Sequence, residues 1–488
     1  MIHIFIFYIE NNIISHRLNK SNINQPHKEV DMHRKTKIIA TIGPCSSEKD
    51  ILRQFEEIGV DCIRINTAHG DIRQYEKMIN TLGKATRIPF LIDVKGPEMR
   101  IRTDREISVT KDEKVWFGFG TAEKPHFSYD FSNTVRRGDR VFFDNGQIGS
   151  EIVSISKKNR KICLKFLDDA RIKPNKGVNI PGHRLQIPSL SKKDKQSIWL
   201  AKRKKAAYIA LSFVRDAKDV KNLKNMIKGS GIGIIAKIEN QQGVDNIDYI
   251  IEESDGVMIA RGDLGIEIRE ERIPSVQKEI ISKCNRRGKV AIVATQMLES
   301  MVENSTPTRA ETSDVANAIL DGTDCLMLSG ETAAGKHPTE SVRMMNKIAK
   351  EVEDKIDNNI DMESFGSKSE EITKAAHYIV HGTSCSKVVA ITRSGYSASL
   401  ISRYRLNKET IAVTDKEDVA KRLHLVWGVN PILTKKIPKN DMIKKVGRRL
   451  YKRDFVRKSD VVLFVAGVNT KIEKITNMVE VHPISELF

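Results

Sequence analysis

Eight short apolar runs punctuate the chain from Lys35 onward, each ending in polar residues or glycine and most followed by a stretch of helical periodicity. They are TKIIATIG (36–43), CIRINTA (62–68), PFLIDVK (89–95), AYIALSF (207–213), GIIAKIE (233–239), GVMIARGD (256–263), VAIVATQ (290–296) and CLMLSGE (325–331). Runs of Ile, Val and Ala without strict polar alternation suit strands buried on both faces, as in a parallel sheet. Strand and helix alternating eight times predict a closed (β/α)8 TIM barrel. Between the third and fourth runs the texture changes. Segments such as EISVTKDEKVWFGFG and DRVFFDNGQIGSEIVSISKKNRKICLKFL alternate with period two and carry Gly and Asn at turns. They predict a small β-barrel inserted into a loop of the larger barrel, where it serves as a lid domain. After the eighth unit, the polar stretch DNNIDMESFGSKSEE marks a boundary, and KVVAITRSG, TIAVT, DVVLFVAG and TNMVEV then alternate with helical segments. The expected fold class is α/β. A disordered N-terminal extension covers 1–32, the barrel 33–99 and 176–355, the lid 100–175, and a C-terminal α/β domain 356–488.

Charge and cysteine content narrow the function classes. Lys and Arg number 82 against 63 acidic residues, a net charge of +19. The excess is spread over short clusters, KKNRK (157–161), KRKK (202–205), RRGK (286–289) and GRRLYKR (447–453), rather than over a surface interleaved with aromatics. That pattern reads as a solvated basic surface that attracts anionic metabolites, with no specific nucleic-acid partner. Six cysteines are scattered with no CxxC pair, which predicts neither a zinc site nor a disulfide framework and points to a reducing, cytoplasmic compartment. The N-terminal run IHIFIFYIE is too short to span a bilayer and lacks a basic flank or cleavage site, so no membrane partner is expected.

Functional residues of such barrels gather at the C-terminal ends of the strands. Standing there are Arg64 and Asn66, Asp93 and Lys95, Lys237 and Glu239, Arg261 and Asp263, Thr295 and Gln296, Ser329 and Glu331. No Ser–His–Asp or Cys–His grouping accompanies them. Carboxylates with Lys and Arg at one mouth suit a magnesium-assisted reaction of a phosphorylated substrate. Glu239 and Asp263 end neighbouring strands and suit one ion, while Lys237 and Arg64 suit a phosphoryl group. Lys237 and Glu239 lie two apart on a strand and share a face, which a structural ion pair would also explain. Buried pairs are poor stabilisers, however, so chemistry is the favoured reading. Thr308 and Glu311 form a T-x-x-E capping box whose role is satisfied by a well-capped outer helix.

At these residues a family comes into view. TKIIATIGP, RINTAHG, KGPEMR, KGVNIPG, AKIENQQGVDNID, DGVMIARGDLGIE, ATQMLESM and PTRAETSDVANAILDGTDCLMLSGETAAGKHP, in this order, resemble the pyruvate kinase family from about Lys35 to the end. The resemblance implies transfer of the phosphoryl group of phosphoenolpyruvate to ADP, giving pyruvate and ATP. It implies that Lys237 is the active-site lysine, that Arg64 holds the phosphate, and that Glu239 and Asp263 bind Mg2+ or Mn2+. Gly262 and Asp263 present backbone N–H groups to the substrate carboxylate, Thr295 adds a hydroxyl, and Thr295 and Ser329 lie along the proton relay. Asn66, His69, Arg100 and Lys176 fall on the nucleotide side. Asn66, Asp93 and the Val94 carbonyl match K+ ligands, but Ala68 stands where the family offers a serine hydroxyl, whereas Glu98 resembles K+-requiring members. Thr392, Arg393, Ser394, Gly395 and Ser397 resemble an effector loop for a phosphorylated allosteric ligand, and the late loop GVNTKIEK lacks the tryptophan or arginine of some bisphosphate-responsive members. The C-terminal domain is then regulatory and the assembly a homotetramer. The alternatives are another phosphoenolpyruvate-type barrel enzyme and a catalytically altered barrel protein of the same superfamily.

Overall fold

The structure, a computed structural model, describes residues 34–488 apart from 97, 121–123, 145, 184–186, 357–365, 438–439 and 469–474. The expected N-terminal extension lies outside the described residues, as does most of the late loop GVNTKIEK. Eight strands form a closed parallel barrel: β1 (Lys37–Thr41), β2 (Cys62–Asn66), β3 (Phe90–Val94), β4 (Tyr208–Leu211), β5 (Gly233–Ile238), β6 (Gly256–Ala260), β7 (Val290–Ala294) and β8 (Cys325–Leu328). They pair in chain order, and β8 returns to β1 with Lys37 opposite Cys325.

Alternation along these strands sorts their side chains into two rows. Ile38, Ile63, Ile92, Ile209, Ala236 and Val257 pack outward with Leu52, Phe55, Leu82, Leu223 and Ile280 of the surrounding helices. Ile39, Cys62, Leu91, Ala210, Ile235, Met258, Ile292 and Met327 fill the interior. Both rows are apolar, which is why the strands read as continuous hydrophobic runs. The interior cluster continues into Ala412, Leu423, Leu425 and Val426 of the C-terminal domain, which plug the N-terminal mouth of the barrel. The first residues of three strands are tied there: Lys37 Nζ donates to Val429 O at 2.9 Å, the Tyr208 hydroxyl to Arg422 O at 2.9 Å, and Cys325 Sγ to Leu425 O at 3.1 Å. The inner row therefore carries its polar residues to the opposite mouth.

The insertion after β3 is a seven-stranded sheet with a separate two-stranded ribbon. Its two edges, Ile101–Arg102 and Val178–Asn179, are joined through backbone bonds from Val178 N to Met99 O (2.8 Å) and from Ile101 N to Lys176 O (3.0 Å), so the sheet closes on itself. Phe117, Phe119, Phe127, Phe143 and Phe166 fill its centre. The last strand, Val178–Asn179, lies beyond the expected limit at 175 and pairs with Arg140–Phe143.

The C-terminal domain holds a five-stranded sheet in the order Val429–Leu433, Glu409–Thr414, Lys387–Ile391, Val461–Ala466, Met478–Pro483, the last strand antiparallel. Two elements escape the sequence reading, strand Val429–Leu433 and helix Met442–Tyr451. Pro431 argues against a strand, but this one is at the edge of the sheet, where the missing N–H costs nothing. The domain is locked to the barrel by Arg405, which is 1% exposed and donates to Asp324, Asn285 and Gly322.

Candidate active site

Buried charges converge at the C-terminal mouth. Asp93, next to last in β3, is 1% exposed. Its Oδ2 accepts from Arg64 Nε at 2.8 Å and lies 3.2 Å from Lys237 Nζ, and its Oδ1 accepts from the Ser212 hydroxyl at 3.3 Å. Lys237 Nζ also reaches Glu239 Oε1 and Ser212 Oγ, both at 2.8 Å. Glu239 Oε2 accepts the Phe213 N–H at 2.6 Å, and Arg64 donates to the Thr41 hydroxyl at 3.1 Å. One hydrogen-bonded network thus crosses the mouth from β1 to β5.

The charges are unequally satisfied. Burial works to raise the Asp93 carboxyl, but Lys237 and Arg64 outweigh it and hold it below the usual range. Burial likewise opposes the Lys237 charge, but Asp93 and Glu239 overcome this and raise its pKa, keeping it protonated. Glu239 goes the other way. Burial pushes it up to about 7, against the pull of Lys237 and with help from the neighbouring Asp263. A carboxyl driven toward its neutral form beside another carboxylate is short of a positive charge. Glu239 and Asp263 supply hard oxygen donors, and Mg2+ ordinarily takes one or two protein carboxylates and keeps its waters. Among the described residues no group of three or more His, Cys, Asp or Glu forms a fuller cage. The donor set therefore fits Mg2+ or Mn2+.

A cavity of about 440 Å³ opens over this network. Arg64, Asn66, His69, Asp93, Lys237, Glu239 and Asp263 line its barrel side, and Arg100 and Lys176 face it from the lid and its junction with the barrel. Arg100 pairs with Glu98 at 2.6 Å, Lys176 with Asp144 at 2.7 Å, and the His69 carbonyl accepts from Tyr75. An adjoining cavity of about 450 Å³ shares Glu98, Phe213 and Asp263 and runs beneath lid residues Val178–Ile180.

Thr295 and Ser329 do not line the first cavity. Thr295 follows β7 with φ of 68°, and Gln296 with 54°, backbone positions unusual for residues with a side chain, above all a β-branched one. Arg261 holds this turn, donating to the carbonyls of Thr295 (3.1 Å) and Gln296 (2.8 Å) while paired with Asp314 at 2.7 Å. The Thr295 hydroxyl accepts the Gly262 N–H at 2.9 Å and donates to the Ala294 carbonyl at 2.6 Å, so both groups are already satisfied. Ser329 Oγ is buried without a hydrogen-bond partner among the described residues.

The expected K+ ligands are drawn into other contacts. Asn66 Oδ1 accepts the Ala68 N–H at 3.0 Å, Asp93 is shared by two cations, and the Val94 side chain packs outward, leaving only its main chain. Lys193 Nζ stands 3.5 Å from the Ala68 carbonyl. In the effector loop, the Thr392 hydroxyl accepts the Gly395 N–H at 3.0 Å, and Ser397 is buried against Thr476 at 2.7 Å. Arg393 is exposed, 3.8 Å from Asp415, and Ser394 is partly so. Ser212 was missed by the sequence reading, although it occupies the inward position at the end of the fourth run, as alternation would have indicated.

A lidded (β/α)8 barrel whose mouth pairs Lys and Arg with carboxylates suits the class of barrel enzymes that act on phosphorylated substrates. Residues 33–342 match the family model for the pyruvate kinase barrel domain, and residues 370–482 match that for its alpha/beta domain. A pyruvate kinase of Sporosarcina psychrophila is 40% identical over 93% of this chain and 81% of its own length. One of Clostridium acetobutylicum is 37% identical over 92% of this chain and its whole length. A crystal structure of a pyruvate kinase from Cryptosporidium parvum superposes with a TM-score of 0.85 at 32% identity, covering 92% of this chain and 96% of that one. The chain belongs to the pyruvate kinase family and is a phosphotransferase with that activity. Among the described residues no helix is long and apolar enough to cross a membrane.

Proposed function

We propose that the first cavity is where the phosphoryl group passes from phosphoenolpyruvate to ADP, giving pyruvate and ATP in the last step of glycolysis. The observation that carries this reading is the Arg64–Asp93–Lys237–Glu239 network, which points two fixed cations and an under-neutralised carboxylate at one space. Arg64 and Lys237 hold the phosphoryl oxygens, and Asp93 and Ser212 fix both cations before substrate arrives, so little reorganisation is needed as charge moves. Glu239 and Asp263 would hold Mg2+ or Mn2+, which when bound would add to the neutralisation of the migrating group. The Gly262 amide and Thr295 hydroxyl, now paired, turn to the substrate carboxylate. Ser329 Oγ, without a hydrogen-bond partner among the described residues, serves the proton delivered to the enolate product. Asn66, His69, Arg100 and Lys176 receive ADP from the lid side.

Asn66, Asp93 and the Val94 carbonyl would hold K+, and only weakly, because Ala68 offers no hydroxyl and Asn66 and Asp93 already serve other partners. A phosphorylated effector meets Arg393 and Ser394, the two members of its loop that reach solvent. The homotetramer and cytoplasmic setting rest on the family resemblance and the cysteine pattern. The site assignment is tested by Mn2+ binding followed by electron paramagnetic resonance. Glu239→Ala and Asp263→Ala should each weaken binding at least about tenfold, and unchanged affinity in both would refute the metal assignment.

A further inference from the structure

The lid meets the barrel at the helix that carries Asp263. This helix, Arg261–Glu267, begins with the residues assigned to substrate and metal and ends with Glu267, one turn beyond Asp263 on the same face. Asn179, in the last strand of the lid, donates its side-chain amide to Glu267 Oε1 at 3.0 Å. A second contact lies beside it. Lid residue Gly146, in a left-handed turn with φ of 85°, faces the Ile266 side chain, which an added Cβ would meet at an ordinary 3.4 Å. Glu267 is held by burial above the ordinary carboxyl range, an effect the Asn179 amide opposes. Asn179, Glu267 and Asp263 all line the adjoining cavity. Two residues before Asn179, Gly177 faces the substrate cavity beside the Glu98 carboxylate.

We propose that Asn179 and Glu267 form a latch that holds the lid closed on the Asp263 helix, making both positioning residues for phosphoryl transfer. With the latch made, the lid residues Arg100 and Lys176 and the helix residue Asp263 keep a fixed relation across the cavity. With it broken, the lid opens more often and the two sides of the site lose register. Neither residue touches the reacting groups. The proposal rests on the assignment of Asp263 to the active site, and its test separates the two claims.

The test is hydrogen–deuterium exchange of the full-length protein read at 95–101 and 174–183, the two chains joining lid to barrel, alongside steady-state kinetics. Asn179→Ala should speed exchange in both segments and lower kcat/KM by roughly threefold to tenfold, the factor one net hydrogen bond contributes. Glu267→Ala, which breaks the same bond from the barrel side, should do the same. Glu267→Gln keeps an acceptor oxygen and should stay within about twofold of the parent in both readouts. Unchanged exchange in both alanine variants overturns the latch. Faster exchange with kcat/KM within twofold overturns its positioning role. Retained Mn2+ affinity in Asp263→Ala would instead overturn the assignment on which it rests.

Discussion

Replacing Asp93 with Asn tests whether the mouth is held together by its own charges. The carboxylate stands 2.8 Å from Arg64 and 3.2 Å from Lys237 and is almost wholly buried. Each pair interacts by roughly 5–6 kcal/mol at an effective dielectric of about 20, but this gross figure is offset by desolvation already incurred. Removing one partner of a buried pair costs about 3–5 kcal/mol, because the other charge is stranded. Here Lys237 keeps Glu239 at 2.8 Å, so the lower end applies. At about 2–4 °C per kcal/mol, Asp93→Asn should melt roughly 6–12 °C below the parent. Differential scanning fluorimetry with and without phosphoenolpyruvate and Mg2+ supplies the second half of the test. With Arg64 and Lys237 holding the substrate phosphate as proposed, binding would return negative charge to both cations and the deficit should shrink. A melting point within about 2 °C of the parent, or a deficit that substrate leaves untouched, would refute the reasoning.

Other outcomes follow from the same contacts. His424, at the junction of barrel and C-terminal domain, has its pKa lowered to about 4 by burial and by nearby Lys37. Its folded form is neutral, so its contribution is full above about pH 6.5 and is lost as pH falls through 4, about 3 kcal/mol in all. His424→Gln should therefore flatten the acid limb of a stability–pH curve, and an unchanged limb would exclude this residue as its source. Arg405→Ala strips Asp324 and Asn285 of their shared partner and should destabilise by about 3–5 kcal/mol, read as a lower urea midpoint. A loss under about 1 kcal/mol would show that the interface does not depend on it. Turnover in K+ should exceed that in tetramethylammonium by a modest factor, and equal rates would remove K+ from the site.

The barrel was legible because its strands are buried on both faces, so apolar runs recur at nearly even spacing. The lid was legible from period-two alternation, yet its last strand was cut short because Val178–Asn179 is only two residues long. Strand Val429–Leu433 was hidden by Pro431, whose meaning depends on an edge position that sequence does not reveal. Within the site, Lys237 and Glu239 stood out as charges in an apolar run. Ser212 did not, since one serine at a strand end is unremarkable until Lys237 and Asp93 are seen on either side. The pairing of the Gly262 amide with the Thr295 hydroxyl depends on a left-handed turn held by Arg261, a long-range contact with no local signature.

The most direct measurement is a coupled assay of ATP formation from phosphoenolpyruvate and ADP with Mg2+, comparing the parent with Lys237→Met. The parent should turn over. The variant should keep Mn2+ binding through Glu239 and Asp263 but lose roughly 10²–10³-fold or more in kcat, the loss expected when a preorganised charge beside the migrating phosphoryl group is removed. A kcat within tenfold of the parent would contradict the role given to Lys237 and, with it, the account of the site.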